Sequence, residues 1–206
     1  MTATLGIDDA LLERRDGAQH QQTRLEGSHT PSVGIGGALR GQRFGQSGLS
    51  VMFANMTFDE LHAAISGPVL GRDDAGFEQE ASGFNLAVQH RPEVVVGVTS
   101  TDDVVAAVRF ARQHRMPVRV QATGHGAHLP ITDGLLVSTS RLDSVSIDEA
   151  SRIATIQAGA RWAAVVSAAD PHGLAPVTGS STNVGVVGYL LGGGLGPLGR
   201  SHGFSS

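Results

Sequence analysis

The residues of this chain with the clearest chemical potential lie in a short loop after a strand-like run. Residues 118–122 (Val-Arg-Val-Gln-Ala) are strand-like, and Thr123-Gly124-His125-Gly126 follows directly. Glycines on both sides of a residue permit positive φ and let consecutive backbone N–H groups converge on an anion such as a diphosphate. A neutral imidazole at that point can serve as a hydrogen-bond partner, a base or a nucleophile. The loop therefore predicts an anion cradle with a reactive histidine.

Two other interpretations of these histidines stay open at this stage. A lone histidine such as His125 can be a turn or core residue whose ring is satisfied by a backbone carbonyl. His128, three positions later, also raises the question of a metal ion. No cysteine occurs in the chain and no pair of carboxylates lies nearby, so the pattern does not favour a metal site.

A second glycine-rich segment occupies residues 179–196, Gly-Ser-Ser-Thr-Asn-Val-Gly-Val-Val-Gly-Tyr-Leu-Leu-Gly-Gly-Gly-Leu-Gly. Its glycines indicate close backbone approach, either to a ligand or between packed elements. Within it begins Gly194-Leu-Gly196-Pro-Leu-Gly199, a literal match to G-x-G-x-x-G. Pro197 interrupts that match, no ordinary strand precedes it, and no acidic residue follows about 20 positions on, so a Rossmann dinucleotide site is rejected.

Composition narrows the class of protein. The chain has 206 residues, of which 40% are hydrophobic and 28 are glycine, about twice the usual share of ~7%. The net charge of −4 and the absence of a basic patch argue against nucleic acid as a partner. Without cysteine there is no disulfide framework. No apolar run reaches the ~18 residues of a membrane helix, and no signal peptide is recognised, so a soluble, cytoplasmic protein without a membrane partner is expected.

The first part of the chain predicts little structure. Residues 1–56 mix Gln, Gly, Ser, His and Arg with little periodicity, and we expect a poorly structured N-terminal tail. Thr57 and Glu60 match a capping box, which predicts a helix with Leu61 and Ile65 on one face. Residues 69–92 are expected to form a meandering connection.

The central part predicts a βαβ unit. Residues 94–98 are a β-branched run, a helix starts at residues 100–103 with acidic groups in its first turn, and residues 118–122 form the next strand. The two strands should be parallel with a right-handed crossover. The predicted inward face of the helix carries Val104, Val108 and Ala111.

The remaining part predicts an antiparallel sheet. Residues 134–138, 144–148 and 152–157 are short strands, and the last two alternate as in a hairpin. A helix at residues 161–169 ends at Asp170-Pro171. The predicted class is α+β, with a small parallel subdomain followed by an antiparallel-sheet subdomain.

The two glycine segments together resemble the FAD-linked oxidases of the vanillyl-alcohol oxidase superfamily, and specifically the berberine bridge enzyme-like group. Residues 117–125, 173–179 and 184–196 carry the resemblance. It implies an FAD-binding PCMH-type domain over residues 57–206, with subdomains at about 57–128 and 129–206.

The resemblance also implies a site. FAD would lie between the two subdomains, the loop 121–126 would wrap its diphosphate, and His125 would be attached to the flavin 8α-methyl group. The cofactor-binding residues implied in this way are Gln121, Ala122, Thr123, Gly124, His125, Gly126, His128, Ser180, Ser181, Val184, Gly185, Gly188 and Tyr189.

Three departures from the family pattern bear on this expectation. Ser181 stands where bicovalent members carry a flavin-linking cysteine, which limits attachment to one bond. Gln121 replaces an arginine found in many relatives and removes a positive charge near the diphosphate. The chain stops at Ser206, before the substrate domain and the family's catalytic base, so no catalytic residue is assigned.

The expected function is that of the FAD-binding portion of an oxidoreductase. The intact enzyme would take a hydride from an alcohol, sugar or secondary-metabolite carbon and pass electrons to dioxygen. The alternative is a non-catalytic, truncated flavin-binding fragment or interaction module. An NAD enzyme of the Rossmann type is a third possibility, disfavoured for the reasons above.

Overall fold

Short strands and short helices alternate along the chain. The computed structural model describes residues 2–6, 8–9 and 58–204. The elements up to residue 121 are β1 (Thr2–Gly6), β2 (Asp8–Asp9), α1 (Asp59–Ala64), β3 (Val69–Gly71), α2 (Phe77–Ala81), β4 (Val94–Gly97), α3 (Thr101–Gln113) and β5 (Val118–Gln121). Those that follow are β6 (Leu135–Ser138), β7 (Val145–Asp148), β8 (Ile153–Gln157), α4 (Trp162–Ala169), a 3₁₀ turn (Asp170–His172), β9 (Leu174–Ala175), α5 (Val186–Leu191) and α6 (Gly199–His202).

The first sheet has the strand order β3-β4-β6-β5. Strands β4 and β5 both run parallel to β6, with Val94 and Val118 in register with Leu135, and β3 is antiparallel to β4. The predicted parallel βαβ unit is confirmed. The prediction that residues 134–138 belong to the antiparallel sheet was wrong, because they form β6 of the parallel part. Every residue of β6 is buried, as suits the centre of a parallel sheet rather than an alternating antiparallel strand.

Helix α3 begins where the sequence predicts, but the side of the helix that is buried differs from the predicted one. Its N-cap is Ser100, whose side chain accepts from the Asp103 backbone N–H at 3.1 Å. The buried residues of the helix are Asp103, Ala107, Phe110 and Ala111. Of the predicted face, Ala111 is buried and Val104 half-buried, but the placement of Val108 was wrong, since it is 45% exposed.

Asp103 explains this orientation. Its carboxylate accepts from the backbone N–H groups of Ser66 (3.0 Å) and Thr99 (2.8 Å), which fixes the first turn with this side inward. Burial by itself would raise the pKa of Asp103, but these hydrogen bonds together outweigh it and the pKa is lowered.

Helix α1 starts at Asp59 with Phe58 at its N-cap, and Phe58 makes no side-chain cap. The Thr57 half of the predicted capping box lies outside the described residues. Leu61 and Ile65 are both buried, as the shared face predicts. The Phe58 ring packs against Phe110 of α3, with centroids 6.4 Å apart.

The second sheet has the order β1-β8-β7. Strands β7 and β8 form the antiparallel hairpin that the sequence predicts, with Val145 opposite Ile156. Most of the predicted tail at residues 1–56 lies outside the described residues. At its start the expectation was wrong: β1 pairs with β8, and β2 pairs with β9. An edge strand is held by a partner about 150 residues away, so the local composition gives no sign of it.

Helix α4 packs on the second sheet and completes the predicted α+β class. The core there contains the buried residues Ala154, Ile156, Ala160, Trp162, Val165, Ala169, Leu174 and Val186. The predicted helix at residues 161–169 is confirmed, with the Asp170-Pro171 stop continuing as the 3₁₀ turn. Within the described ranges, no helix is long and apolar enough to cross a membrane.

Candidate functional site

A cavity of about 620 Å³ lies between the loop after β5 and the segment that leads into α5. It is lined by His90, Val120, Gln121, Ala122, Thr123, Gly124, His125, Gly126, Ala127, His128, Leu129, Ile131, Val184, Gly185, Gly188, Tyr189, Gly192 and Gly194. The structure thus brings together all the residues implied by the resemblance except Ser180 and Ser181, which are exposed and outside the lining. Its volume falls in the range of roughly 300–1,000 Å³ usual for ligand sites.

Thr123 joins the two glycine segments. Its Oγ1 lies 2.8 Å from Nδ1 of His125 and accepts a hydrogen bond from the backbone N–H of Gly185 at 3.3 Å. A Cβ added to Gly185 would lie 3.2 Å from that oxygen, so a side chain there would crowd the bond. The Thr123 hydroxyl therefore fixes the position of the His125 ring relative to Gly185 in the second segment.

Residues 82–85 support the loop from the other side. The backbone N–H of Phe84 donates to Thr123 O (2.8 Å), and Asn85 Nδ2 donates to Ala127 O (2.9 Å). Gly83 and Gly124 approach so closely that a Cβ on Gly124 would lie 2.7 Å from the Gly83 Cα. The sequence placed this segment in a meandering connection, and apart from its glycine it carries no recognisable signal.

Gln121 belongs to the same support. Its side chain is buried, and its Nε2 donates to the carbonyl oxygens of Ala81 (3.2 Å) and Ser82 (3.1 Å). From the sequence, we expected Gln121 to matter because it replaces an arginine and so removes a positive charge near the diphosphate. In the structure the amide ties β5 to the end of α2, a role that depends on hydrogen bonds to backbone.

The imidazole of His125 is held between two contacts. The ring of Phe84 stacks on it with a centroid distance of 3.9 Å and an interplanar angle of 10°. Desolvation by burial, and then the positive charge of Arg161, lower the pKa of His125 below its ordinary value of 6.5. The lowered pKa favours the neutral imidazole, which retains a nucleophilic lone pair.

The loop backbone offers donors to an anion. Among the described residues, no group accepts a hydrogen bond from the backbone N–H groups of Gly124, His125 and Gly126. Gly124 has φ +70°, and a Cβ on Gly126 would meet no atom within 4 Å. The described residues that line the cavity include no arginine, aspartate or glutamate, so amide dipoles are the main anion-binding groups among them.

The second segment surrounds one aromatic ring. A Cβ on Gly179 would lie 2.9 Å from Tyr189, and one on Gly194 would overlap the same ring. Trp162 meets Tyr189 edge-to-face at 5.5 Å. Gly188 has open space where a Cβ would be. The packing interpretation is thus confirmed for Gly179 and Gly194, whereas close approach of a ligand at Gly188 stays a prediction.

Two further polar groups of the lining complete the site. The Tyr189 hydroxyl is buried and has no hydrogen-bond partner among the described residues. His90, which the sequence did not single out, is buried, and its Nδ1 accepts from the Ile131 N–H at 3.0 Å. Among the described residues, no group of three or more His, Asp or Glu side chains is arranged to hold a metal ion.

Comparison with known proteins agrees with this geometry. A family model described as "FAD binding domain" matches residues 92–206. The chain is 37% identical to FAD-linked oxidoreductase hasG of Aspergillus fumigatus over 71% of this chain and 32% of that protein. It is 32% identical to (R)-6-hydroxynicotine oxidase of Paenarthrobacter nicotinovorans over 69% and 32%, respectively. The chain spans about a third of the length of the curated relatives that it matches.

Solved structures show the same fold. Glucooligosaccharide oxidase of Acremonium strictum, which carries a 6-S-cysteinyl, 8α-N1-histidyl FAD, matches with a TM-score of 0.63 and 28% identity over 71% of this chain and 32% of that one. A berberine bridge enzyme-like protein of Physcomitrella patens matches with a TM-score of 0.64 and 22% identity over 73% and 34%, a likeness of fold alone.

Proposed function

The chain belongs to the FAD-binding domain family of FAD-linked oxidoreductases, and from this membership we propose that it holds the cofactor of an oxidase acting on an alcohol, sugar or secondary-metabolite carbon. The intact enzyme would deliver the substrate's electrons to dioxygen. The observation that carries the proposal is the single cavity that unites the His125 loop with the Gly185–Tyr189 wall. Relatives named as nicotine and sugar oxidases support the reaction class.

The residues of the cavity fit FAD. The N–H groups of residues 124–126, which have no acceptor among the described residues, match the needs of a diphosphate, since consecutive amides form an anion-binding concavity. Leaving the buried Tyr189 hydroxyl without a partner costs about 1–3 kcal/mol, and a polar edge of a bound cofactor would remove that cost. Gly188 lets a flat ring approach the backbone. When bound, FAD supplies the hydride acceptor.

The chain's own residues bind and orient the cofactor in this proposal. The loop amides hold the diphosphate, and the Gln121 and Asn85 side chains keep the loop in place. Phe84 covers one face of His125 and excludes water from it. His125 presents a neutral imidazole to the cavity.

We further propose a single covalent bond between His125 and the flavin. The ring lines the cavity, is neutral, and is fixed by Thr123 and Phe84. The 8α-histidyl FAD of glucooligosaccharide oxidase supports this attachment. Ser181 stands where bicovalent family members carry cysteine, and it lies outside the cavity lining, so the second bond is not expected.

Mass spectrometry tests the attachment. The purified chain is incubated with FAD, denatured and weighed, alongside the variants His125→Ala and His128→Ala. Both histidines line the cavity, but His128 is exposed, and its one hydrogen-bond contact among the described residues is to Gly126 O at 3.4 Å. Wild type and His128→Ala should gain the mass of one FAD, and His125→Ala should not. An added mass that survives in His125→Ala contradicts the covalent attachment.

FAD binding itself has a separate measurement. The visible absorption of the chain after removal of free FAD should show a bound flavin in wild type, with or without the covalent bond. Thr123→Val, which removes the hydroxyl that joins both segments, should weaken this binding. A colourless wild-type chain would refute the proposed cofactor site.

A further inference from the structure

An ion pair joins the short helix α2 to the turn that follows β6. Arg141 Nη1 donates to Glu80 Oε1 and Arg141 Nη2 donates to Glu80 Oε2, both at 2.7 Å. The Glu80 side chain is only 11% exposed. The hydrogen bond from Arg141 lowers the pKa of Glu80, although burial opposes this effect. A bidentate pair fixes orientation as well as distance, so the end of α2 has a defined position on the turn.

Gly97, the last residue of β4, leaves the space that the ion pair occupies. A Cβ on Gly97 would lie 2.7 Å from Glu80 Oε1 and would overlap Arg141 Nη1. The pair therefore lies at the edge of the sheet where the parallel strands β4, β6 and β5 end, which is also the edge from which the His125 loop starts. Neither residue of the pair lines the cavity, so any effect on the site passes through the residues between them.

Gln121, the last residue of β5, is bonded to the chain on both sides of the ion pair. Its Nε2 donates to the carbonyl oxygens of residues 81–82, which directly follow Glu80. Its own carbonyl oxygen accepts from the Thr139 N–H at 2.9 Å, two residues before Arg141. The ion pair thus completes a closed ring of contacts between the end of α2, the end of β5 and the turn after β6.

The segment that leaves this ring carries the aromatic side chain that covers the histidine. Phe84 follows Glu80 by four residues, its N–H donates to Thr123 O at 2.8 Å, and its ring stacks on His125 at 3.9 Å. The Phe84 side chain is 66% exposed, so the hydrophobic core does not hold it in place. The position of its ring therefore depends on the backbone of residues 81–84.

We propose that the Glu80–Arg141 ion pair is a positioning device that holds Phe84 against the imidazole of His125. Apolar packing on the sheet also holds α2, but that interaction is non-directional and does not set the course of the segment after the helix. The inference rests on the proposed function, because it gives the ion pair an effect on the flavin site.

The chain offers a matched control at the opposite edge of the same sheet. Arg72 and Glu93 form an ion pair with an N–O distance of 3.6 Å, and their side chains are 38% and 14% exposed. The values for Arg141 and Glu80 are 39% and 11%. Glu93 directly precedes β4, at the end of the strand away from the His125 loop. Glu80→Gln and Glu93→Gln therefore each remove a carboxylate of similar exposure, and only the first interrupts the ring of contacts.

The first measurement is NMR spectroscopy of the FAD-free chain. The ring current of Phe84 shifts the resonances of the His125 ring protons, and this shift decreases when the two rings separate. Glu80→Gln should lose much of the ring-current shift and raise the pKa of His125 towards 6.5, since burial of the imidazole lowers that pKa. Arg141→Lys keeps the charge but lacks the planar fork, so it should lose less. Glu93→Gln should retain the wild-type His125 resonances.

The NMR comparison can overturn the proposal in two ways. Glu80→Gln decides the question if it folds, and Arg141→Lys decides it if Glu80→Gln does not fold. His125 ring resonances equal to those of wild type in the deciding variant overturn the proposal. An equal change in Glu93→Gln also overturns it, because a general loosening of the sheet would then be the cause.

FAD affinity is measured separately, by fluorescence titration. The dissociation constant should rise about fivefold in Glu80→Gln, within the range for residues that act on a site through intervening contacts. It should keep the wild-type value in Glu93→Gln. An unchanged constant in Glu80→Gln, together with altered His125 resonances, refutes the link to the cofactor. A wild-type chain that binds no FAD contradicts the proposed function, and the NMR comparison still decides whether the ion pair positions Phe84.

Discussion

The two glycine segments of the cavity are built on opposite principles. The first, around Thr123–Gly126, is held by hydrogen bonds to Phe84, Asn85 and Gly185. The second, from Gly179 to Gly196, is held by packing around the Tyr189 ring. Each nevertheless contains both crowded and open glycines. Glycine content alone therefore says nothing about which position serves the fold and which serves a ligand.

The largest effect is expected where a side chain would enter the Tyr189 ring. Gly194→Ala places its Cβ within the ring, so Tyr189 or the backbone must move. We expect a loss of about 3 kcal/mol in the free energy of unfolding, at the upper end of overpacking effects. Urea denaturation of the FAD-free chain measures it. If Gly194→Ala costs less stability than Gly124→Ala, the second segment is not the more tightly packed of the two.

A smaller loss is expected in the hydrogen-bonded segment. Gly124→Ala meets the Gly83 backbone at 2.7 Å and must adopt φ +70°, which costs about 1–2 kcal/mol for a residue with a Cβ. Gly126→Ala is the matched control, since its φ is not positive and its Cβ would be in open space. The control should change the free energy of unfolding by less than about 0.5 kcal/mol. If both variants unfold alike, the backbone at Gly124 is not strained as described.

Gly188, an open glycine of the second segment, should separate an effect on stability from an effect on FAD binding. Gly188→Ala lies in helix α5 with nothing within 4 Å of the new Cβ, so the FAD-free chain should gain about 0.5–1 kcal/mol. FAD affinity, measured by fluorescence titration, should fall, because the methyl group projects from the cavity wall. Unchanged affinity would show that no ligand approaches the backbone at this position.

The smallest effect concerns the pKa of His125. Burial and Arg161 lower it below 6.5, so the unfolded chain binds this proton more readily than the folded one. The associated stability is present above pH of about 6.5 and is lost as pH falls below that value. Phe84→Ala exposes the ring and should raise the pKa towards 6.5. Arg161→Gln should raise it less, and NMR titration of the ring resonances compares the two. A Phe84→Ala midpoint equal to that of wild type would show that stacking does not shield the ring.

Local pattern was sufficient for some parts of the molecule. The strand before Thr123, the helix start at Ser100 and the hairpin of β7 and β8 all follow from residues close in sequence. The βαβ unit was predicted, yet the insertion of β6 between its strands was not, because pairing in a parallel sheet is decided by distant residues. For the same reason the burial of Asp103 on the inward face of α3 went unrecognised.

Some features of the candidate site likewise follow from the sequence, and others only from the tertiary structure. The sequence by itself determined that His125 follows a strand between two glycines and that a second glycine-rich segment exists, since these are properties of neighbouring residues. Only the tertiary structure decided that Phe84 covers the ring and that Thr123 engages Nδ1 while bonding Gly185, 62 residues away. Contacts of this kind depend on how the chain folds back on itself, and no local pattern encodes them.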